Sequence, residues 1–110
     1  MKAQALIDGG ICGFHSKARA DSEDSQMVQF KITSGCEKIQ VLAKAVEALG
    51  PVDAYEEISP AAESRVMTPV RENLKGCCAG CAVPVGLFKA MQVAAGLALP
   101  KDLSIHLEKE

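Results

Sequence analysis

Five cysteines carry the chemistry open to this sequence: Cys12, Cys36, Cys77, Cys78 and Cys81. Three of them fall within the stretch Cys77-Cys78-Ala79-Gly80-Cys81-Ala82-Val83-Pro84. Cys78 and Cys81 are spaced C-x2-C, which lets two sulfurs of one turn share a metal, while Cys77 and Cys81 are spaced C-x3-C. A cysteine is often only a small buried hydrophobe, but three thiols ahead of a helix-opening proline are poorly explained by packing. With no second C-x2-C pair, the remaining ligands must come from a distance. Structural zinc takes four N or S ligands, and iron–sulfur clusters are usually held by three or four thiolates. Cys12, Cys36, Cys78 and Cys81 make such an all-sulfur set, with Cys77 as the substitute for its neighbour. All lie at turns or helix starts, where backbone N–H groups can donate to sulfur.

Alternation and helical periodicity define the elements that must position these thiols. Residues 2–8 read as a strand closed by Asp8-Gly9-Gly10, and Cys12 follows in a Gly-rich turn. Residues 15–21 alternate charge with alanine as a second strand, and 21–25 form a polar hairpin loop. Val28, Phe30 and Ile32 oppose Gln29, Lys31 and Thr33 in a third strand. Ser34-Gly35-Cys36-Glu37 matches a capping box. It opens a helix in which Ile39, Leu42, Ala43, Val46 and Leu49 recur until Gly50-Pro51. Val52 to Ile58 read as a short extended segment. Ser59-Pro60 and Thr68-Pro69 predict two short helices over 60–66 and 69–75. Pro84 opens a helix to about Gly96, with Val85, Phe88, Met91 and Ala95 on one face and Gly86 and Ala90 as a small-residue stripe. Leu103, Ile105 and Leu107 alternate with Ser104, His106 and Glu108 as a final strand ending in a charged tail. The expected architecture is one α+β domain over 1–110. It is an antiparallel three-stranded meander plus a C-terminal edge strand, covered by two main helices and one or two short ones.

Composition narrows the function classes. The 110 residues are 48% hydrophobic and 24% charged with a net charge of −2, which gives no electrostatic reason to bind nucleic acid or an anionic membrane. No Trp, one Tyr and three Phe make a base-stacking platform a poor reading. The apolar stretches read as helix-sized, short of a membrane span. The first eight residues alternate and meet Asp8 too early for a signal peptide, so a cytoplasmic setting with reduced thiols is expected. An odd cysteine count rules out a complete internal disulfide framework. His15, three residues after Cys12, reads as a surface residue before a ligand, as does His106. Glu56-Glu57 and Glu108 to Glu110 read as solvated surface. No P-loop, G-x-S-x-G or dinucleotide fingerprint is present.

The cysteine layout resembles that of the U-type iron–sulfur cluster assembly scaffolds. Cys12-Gly13, Gly35-Cys36 and Cys81 (or Cys77, Cys78) fall where those proteins carry one cysteine in an early turn, one at the helix after the third strand and one at a late helix. The acidic residue that follows the first Cys-Gly pair in the scaffolds is Phe14 here. The tripled cysteines and the segment after the last helix also depart from that pattern. More directly, Gly10-Ile11-Cys12-Gly13-Phe14, Ser34-Gly35-Cys36-Glu37 and Gly96-Leu97-Ala98-Leu99-Pro100-Lys101 resemble a small family of uncharacterised proteins from anaerobic prokaryotes, which implies a reduced setting and a shared thiol site. The leading expectation is a cysteine-ligated zinc or iron–sulfur protein acting in cluster scaffolding, delivery or electron transfer. The alternatives are a thiol–disulfide redox protein using Cys78 and Cys81, or a non-catalytic interaction domain. Beyond the metal or cluster, a protein partner fits cluster delivery, and the final strand and small-residue helix face permit a homodimer.

Overall fold

Alternation along the first 34 residues forces a sheet with one dry and one wet face. The computed structural model describes residues 1–59 and 61–110. In it β1 (Lys2–Asp8), β2 (His15–Asp21) and β3 (Met27–Ser34) form an antiparallel meander, with Ala5 opposite Ala18 and Ala18 opposite Ile32. Ser16, Ala18 and Ala20 of β2 and Val28, Phe30 and Ile32 of β3 make the buried face. A two-residue strand, β4 (Val52–Asp53), pairs with the start of β3 and completes the order β1-β2-β3-β4. Four helices accompany the sheet: α1 (Glu37–Glu47), α2 (Ala54–Ile58), α3 (Met67–Asn73) and α4 (Val83–Ala94). The chain is α+β, as its patterning predicts.

The two main helices divide the dry face between them. α1 packs on β3, burying Ile39, Leu42, Ala43 and Val46. α4 packs on β1 and β2, where small side chains let it ride close to the sheet. A Cβ added to Gly86 would stand 2.8 Å from Ile7 Cγ1 and 3.5 Å from Ala5 Cβ. Leu42, Val46, Leu87, Met91, Val28, Val52 and Val66 are fully buried and join both halves in one core cluster. Two carboxylates, Asp24 exposed and Asp53 partly so, organise the loops at the β4 end. Asp24 accepts from Gln26 N and Met27 N, and Asp53 accepts from the Gln26 side chain and from Tyr55 N and Glu56 N. These bonds favour the ionised forms and hold both carboxyls below their usual range. Their support is therefore present above the ordinary carboxylate pKa and is lost as pH falls through the depressed values.

The wet face carries a like-charge contact. Arg19 lies directly opposite Lys31 in the β2–β3 register, with Gln4 beyond it on β1. Among the described residues no carboxylate forms an ion pair with either cation. Like charges directly opposed on antiparallel strands are destabilising. Lys31→Glu is therefore expected to raise stability by up to about 1 kcal/mol. Thermal unfolding at low and high salt checks this, since screening must shrink the gain.

Several expectations are corrected. Residues 101–110 form neither helix nor strand, and the fourth strand is Val52–Asp53 instead of a C-terminal one. Alternation gave 103–107 a strand pattern, but an edge strand needs a neighbour, and none pairs with it among the described residues. Residues 61–66 are turns and loop, not the body of a helix over 60–66, and Pro60 of the Ser59-Pro60 cap lies outside the described residues. The short helix of this region is instead α2, placed one segment earlier by the Asp53 cap. The 69–75 helix is present as α3, shifted N-terminally. The capping box does not form: Ser34 Oγ accepts from Cys36 N at 3.0 Å, and Cys36 itself is the N-cap of α1. Val85 is 44% exposed, so the buried face of α4 runs through Val83, Gly86, Leu87, Ala90, Met91 and Ala94. The stretch Gly76–Ala94 is long and apolar enough for a membrane span, with 19 residues at hydropathy 1.4, contrary to the sequence reading. Val83, Leu87, Ala90, Met91 and Ala94 of it are buried here, and a 12-residue α4 is about 18 Å long.

Glu57 is the largest departure. Expected on the surface, it is buried at 6% exposure. Its carboxylate accepts from Arg65 N at 3.0 Å and from Val66 N at 2.7 Å. Arg65 in turn donates through its guanidinium to Leu49 O and Pro51 O beyond the C-terminus of α1. The loop before α3 is thereby tied to both α2 and α1.

Candidate metal centre

Each cysteine is presented by a turn or a helix start, and the local sequence explains each. After β1, Asp8 Oδ1 accepts from Gly10 N at 2.9 Å, Gly9 N donates to Phe14 O and Gly13 N donates to Gly10 O. Gly10 and Gly13 adopt φ of 78° and 76°, a left-handed backbone that favours glycine. The result is a tight 3-10 turn over Gly10–Cys12. Cys12 is exposed, yet its sulfur folds back over the turn: a Cβ on Gly9 would come within 2.5 Å of it. Gly9 thus leaves the room that the Cys12 sulfur occupies.

Cys36 enters from the other end of the meander. Gly35 N donates to His15 O, and Ser16 Oγ donates to Ser34 Oγ, so the segment before α1 is pinned to the start of β2. The Phe14 ring lies 3.4 Å from where a Gly35 Cβ would stand. The turn carrying Cys12 therefore packs against the segment carrying Cys36. Cys36 is half-buried at the N-cap of α1, and no side chain caps that helix.

The third segment is a 3-10 turn over Gly76–Gly80, entered through Gly76 at φ 65°. Cys78 N donates to Lys75 O and Cys81 N donates to Cys78 O at 3.1 Å, so Cys78 and Cys81 belong to one turn. Cys81 is extended and sits just before α4. Burial pushes its thiol above the ordinary value, the Val83 amide bonded to its sulfur opposes that, and the Cys12, Cys78 and Cys36 thiols add to the rise. Cys12, Cys36 and Cys78, carried by three separate segments, thus each act electrostatically on the Cys81 thiol. Cys77, by contrast, is exposed.

All five cysteines are free thiols. Among the described residues no three His, Cys, Asp or Glu side chains stand at ready ligand spacing. His15 is exposed at the start of β2, opposite Asp8, and His106 pairs with Glu108 at 2.9 Å on the exposed tail. Neither belongs to the sulfur group. Sequence reasoning missed Gly9 and Phe14, whose roles depend on contacts between segments; the only sequence signal was their position beside Cys12.

The direction of the Cys81 shift predicts a labelling order. In reduced, chelator-treated protein, iodoacetamide modifies Cys77 before Cys81, because alkylation requires the thiolate. The Cys81 rate is expected to level off at a higher pH than that of an ordinary exposed thiol. Peptide mass spectrometry across a pH series reads both results.

A family model described as a family of unknown function, DUF6951, matches residues 3–107, and the chain belongs to that family. Comparison with curated proteins and with solved structures finds no match.

Proposed function

We propose that this DUF6951 member is a cysteine-ligated metal protein, in which Cys12, Cys36, Cys78 and Cys81 hold zinc or an iron–sulfur cluster. One observation carries the reading: the half-buried Cys81 sulfur lies close enough to Cys12, Cys36 and Cys78 for each of those thiols to raise it. The donor set is chemically sufficient, because four thiolates satisfy a tetrahedral zinc site or a cluster. Its placement also suits the charge. Four thiolates around a dication carry a net charge of −2, and Cys36 and Cys81 stand at the N-termini of α1 and α4, the positive ends of the helix dipoles.

The lip of the site favours exchange with a partner over a buried structural role. Cys12 is exposed, Ile11 beside it is 107% exposed, and Phe14 is 44% exposed. A cluster scaffold, a cluster carrier or an electron carrier needs such access, and the cysteine layout shared with the U-type scaffolds supports the first two. The resemblance to proteins of anaerobic prokaryotes supports a reduced setting. Anaerobic purification followed by metal analysis and an absorption spectrum tests the proposal. About one equivalent of zinc or of a cluster is expected, and less than about half an equivalent of either metal overturns it.

A thiol–disulfide role for Cys78 and Cys81 has one observation in its favour, their shared turn. The raised Cys81 thiol counts against it, since an attacking thiol is served by a lowered pKa.

A further inference from the structure

We propose that the C-terminal segment 101–110 is a strand donated to a second copy of this chain, pairing antiparallel with the free edge of β1 in a reciprocal dimer. Two halves of an unmade interface are present on the same molecule. One is β1 itself, which pairs only with β2 and leaves its outer edge open along Lys2–Asp8. Its inward residues Ala3, Ala5 and Ile7 are only half-buried. The other half is the tail, where Leu103, Ile105 and Leu107 are 51%, 72% and 87% exposed. Among the described residues no backbone hydrogen bond joins residues 98–110 to the rest of the chain. An open edge and an unpaired alternating segment are the two components of strand addition.

One antiparallel register satisfies the inner face, and on the outer face it carries a single like-charge pair at its end. Setting Leu103 against Ile7 places Ile105 on Ala5 and Leu107 on Ala3, so bulky tail residues meet the two small side chains of β1. On the opposite face Ser104 meets Leu6, His106 meets Gln4, and Glu108 meets Lys2 as an opposite-charge pair. Asp102 and Asp8 then face each other at the outer end, where the ladder stops.

The path of the chain assigns this register to a second copy. Gly96 lies beside Met1, with a Cβ there 3.3 Å from Met1 Cε, so the tail departs from the N-terminal end of β1. To place Leu103 beside its own Ile7, residues 97–102 would have to run the length of β1, about 20 Å at about 3.3 Å per residue. They would also have to reverse direction, and six residues have no slack for that turn. A parallel pairing in cis stays within reach, but it would give up the Glu108–Lys2 match. In a two-fold dimer each copy gives one tail and receives one, so both open edges close.

Native mass spectrometry and sedimentation of the full chain, reduced and chelator-treated, test this. A dimer is expected, and truncation after Pro100 is expected to yield a monomer with unchanged α+β circular dichroism. Glu108→Lys and Lys2→Glu should each weaken the dimer about tenfold, two reversed cross-strand pairs at up to about 1 kcal/mol apiece, and the double variant should recover it. A monomer at about 100 μM would overturn the proposal, as would a dimer that survives truncation. A monomeric chain whose β1 amides exchange faster after truncation would assign the tail to its own β1 and overturn the proposal equally.

Discussion

Cys81→Ser is expected to strip the protein of metal, while Cys77→Ser leaves the metal content unchanged. The two residues lie four positions apart in one glycine-rich stretch, so composition and local sequence barely distinguish them. Their surroundings do. Cys81 is half-buried, accepts a bond from the Val83 amide at the start of α4 and lies in reach of Cys12, Cys36 and Cys78; Cys77 is exposed. Losing a ligand must cost more than the roughly 10–100-fold in affinity that follows loss of an outer-shell partner. Cys36→Ser and Cys12→Ser are expected to match Cys81→Ser, because each supplies a donor that no other segment can replace. Cys78→Ser is the sharper comparison with Cys77→Ser, since adjacent thiols swap roles only if the turn over Gly76–Gly80 can rotate. Inductively coupled plasma analysis of the five anaerobically prepared variants reads the outcome. Full metal in Cys81→Ser would remove the centre from this site.

The same arrangement fixes the sign of the pH dependence. The Cys81 thiol is raised chiefly by burial, then by the neighbouring thiols, so in the free protein it holds its proton more firmly than an ordinary cysteine. A metal must displace that proton, and affinity therefore rises with pH and falls on acidification. The rise in the Cys81 thiol extends this dependence further into the alkaline range than a cysteine of ordinary pKa would.

How much of this was legible in the sequence depends on the range of the interaction. β1, β2 and α1 declare themselves through alternation or 3.6-residue periodicity, both local signals, and the cysteines stand at the element ends where the sequence puts them. That Cys12 and Cys36 act on the Cys81 thiol could only be an expectation, because it depends on how α1 and α4 share one sheet face. The misread elements are those whose partners lie elsewhere. The segment 103–107 has a strand's alternation and no strand beside it. Val52–Asp53 has too few residues to show any period, and its partners are the distant Met27 and Val28. Ser34 has the chemistry of a cap but is spent on Cys36 N, two residues too early for a capping box.

Glu57→Ala is expected to cost about 2–3 kcal/mol, a fall in melting temperature on the order of 10 °C for a chain of this size. The side chain is buried and takes up two backbone amides, those of Arg65 and Val66, and Val66 is itself fully buried. Truncation leaves the Val66 amide without a partner in a place water reaches poorly, so the loss includes its desolvation as well as the bond. Glu57→Gln provides the control: the amide keeps one good acceptor but loses the charge, and about half the cost is expected. A loss confined to the Glu57 bonds would leave Arg65 on Leu49 O and Pro51 O. If the loop 61–66 is instead held cooperatively, Arg65→Ala on the Glu57→Ala background adds much less than it does alone. Chemical denaturation of the two single variants and the double variant separates these cases, and a Glu57→Ala loss below about 0.5 kcal/mol would return that carboxylate to the solvated surface.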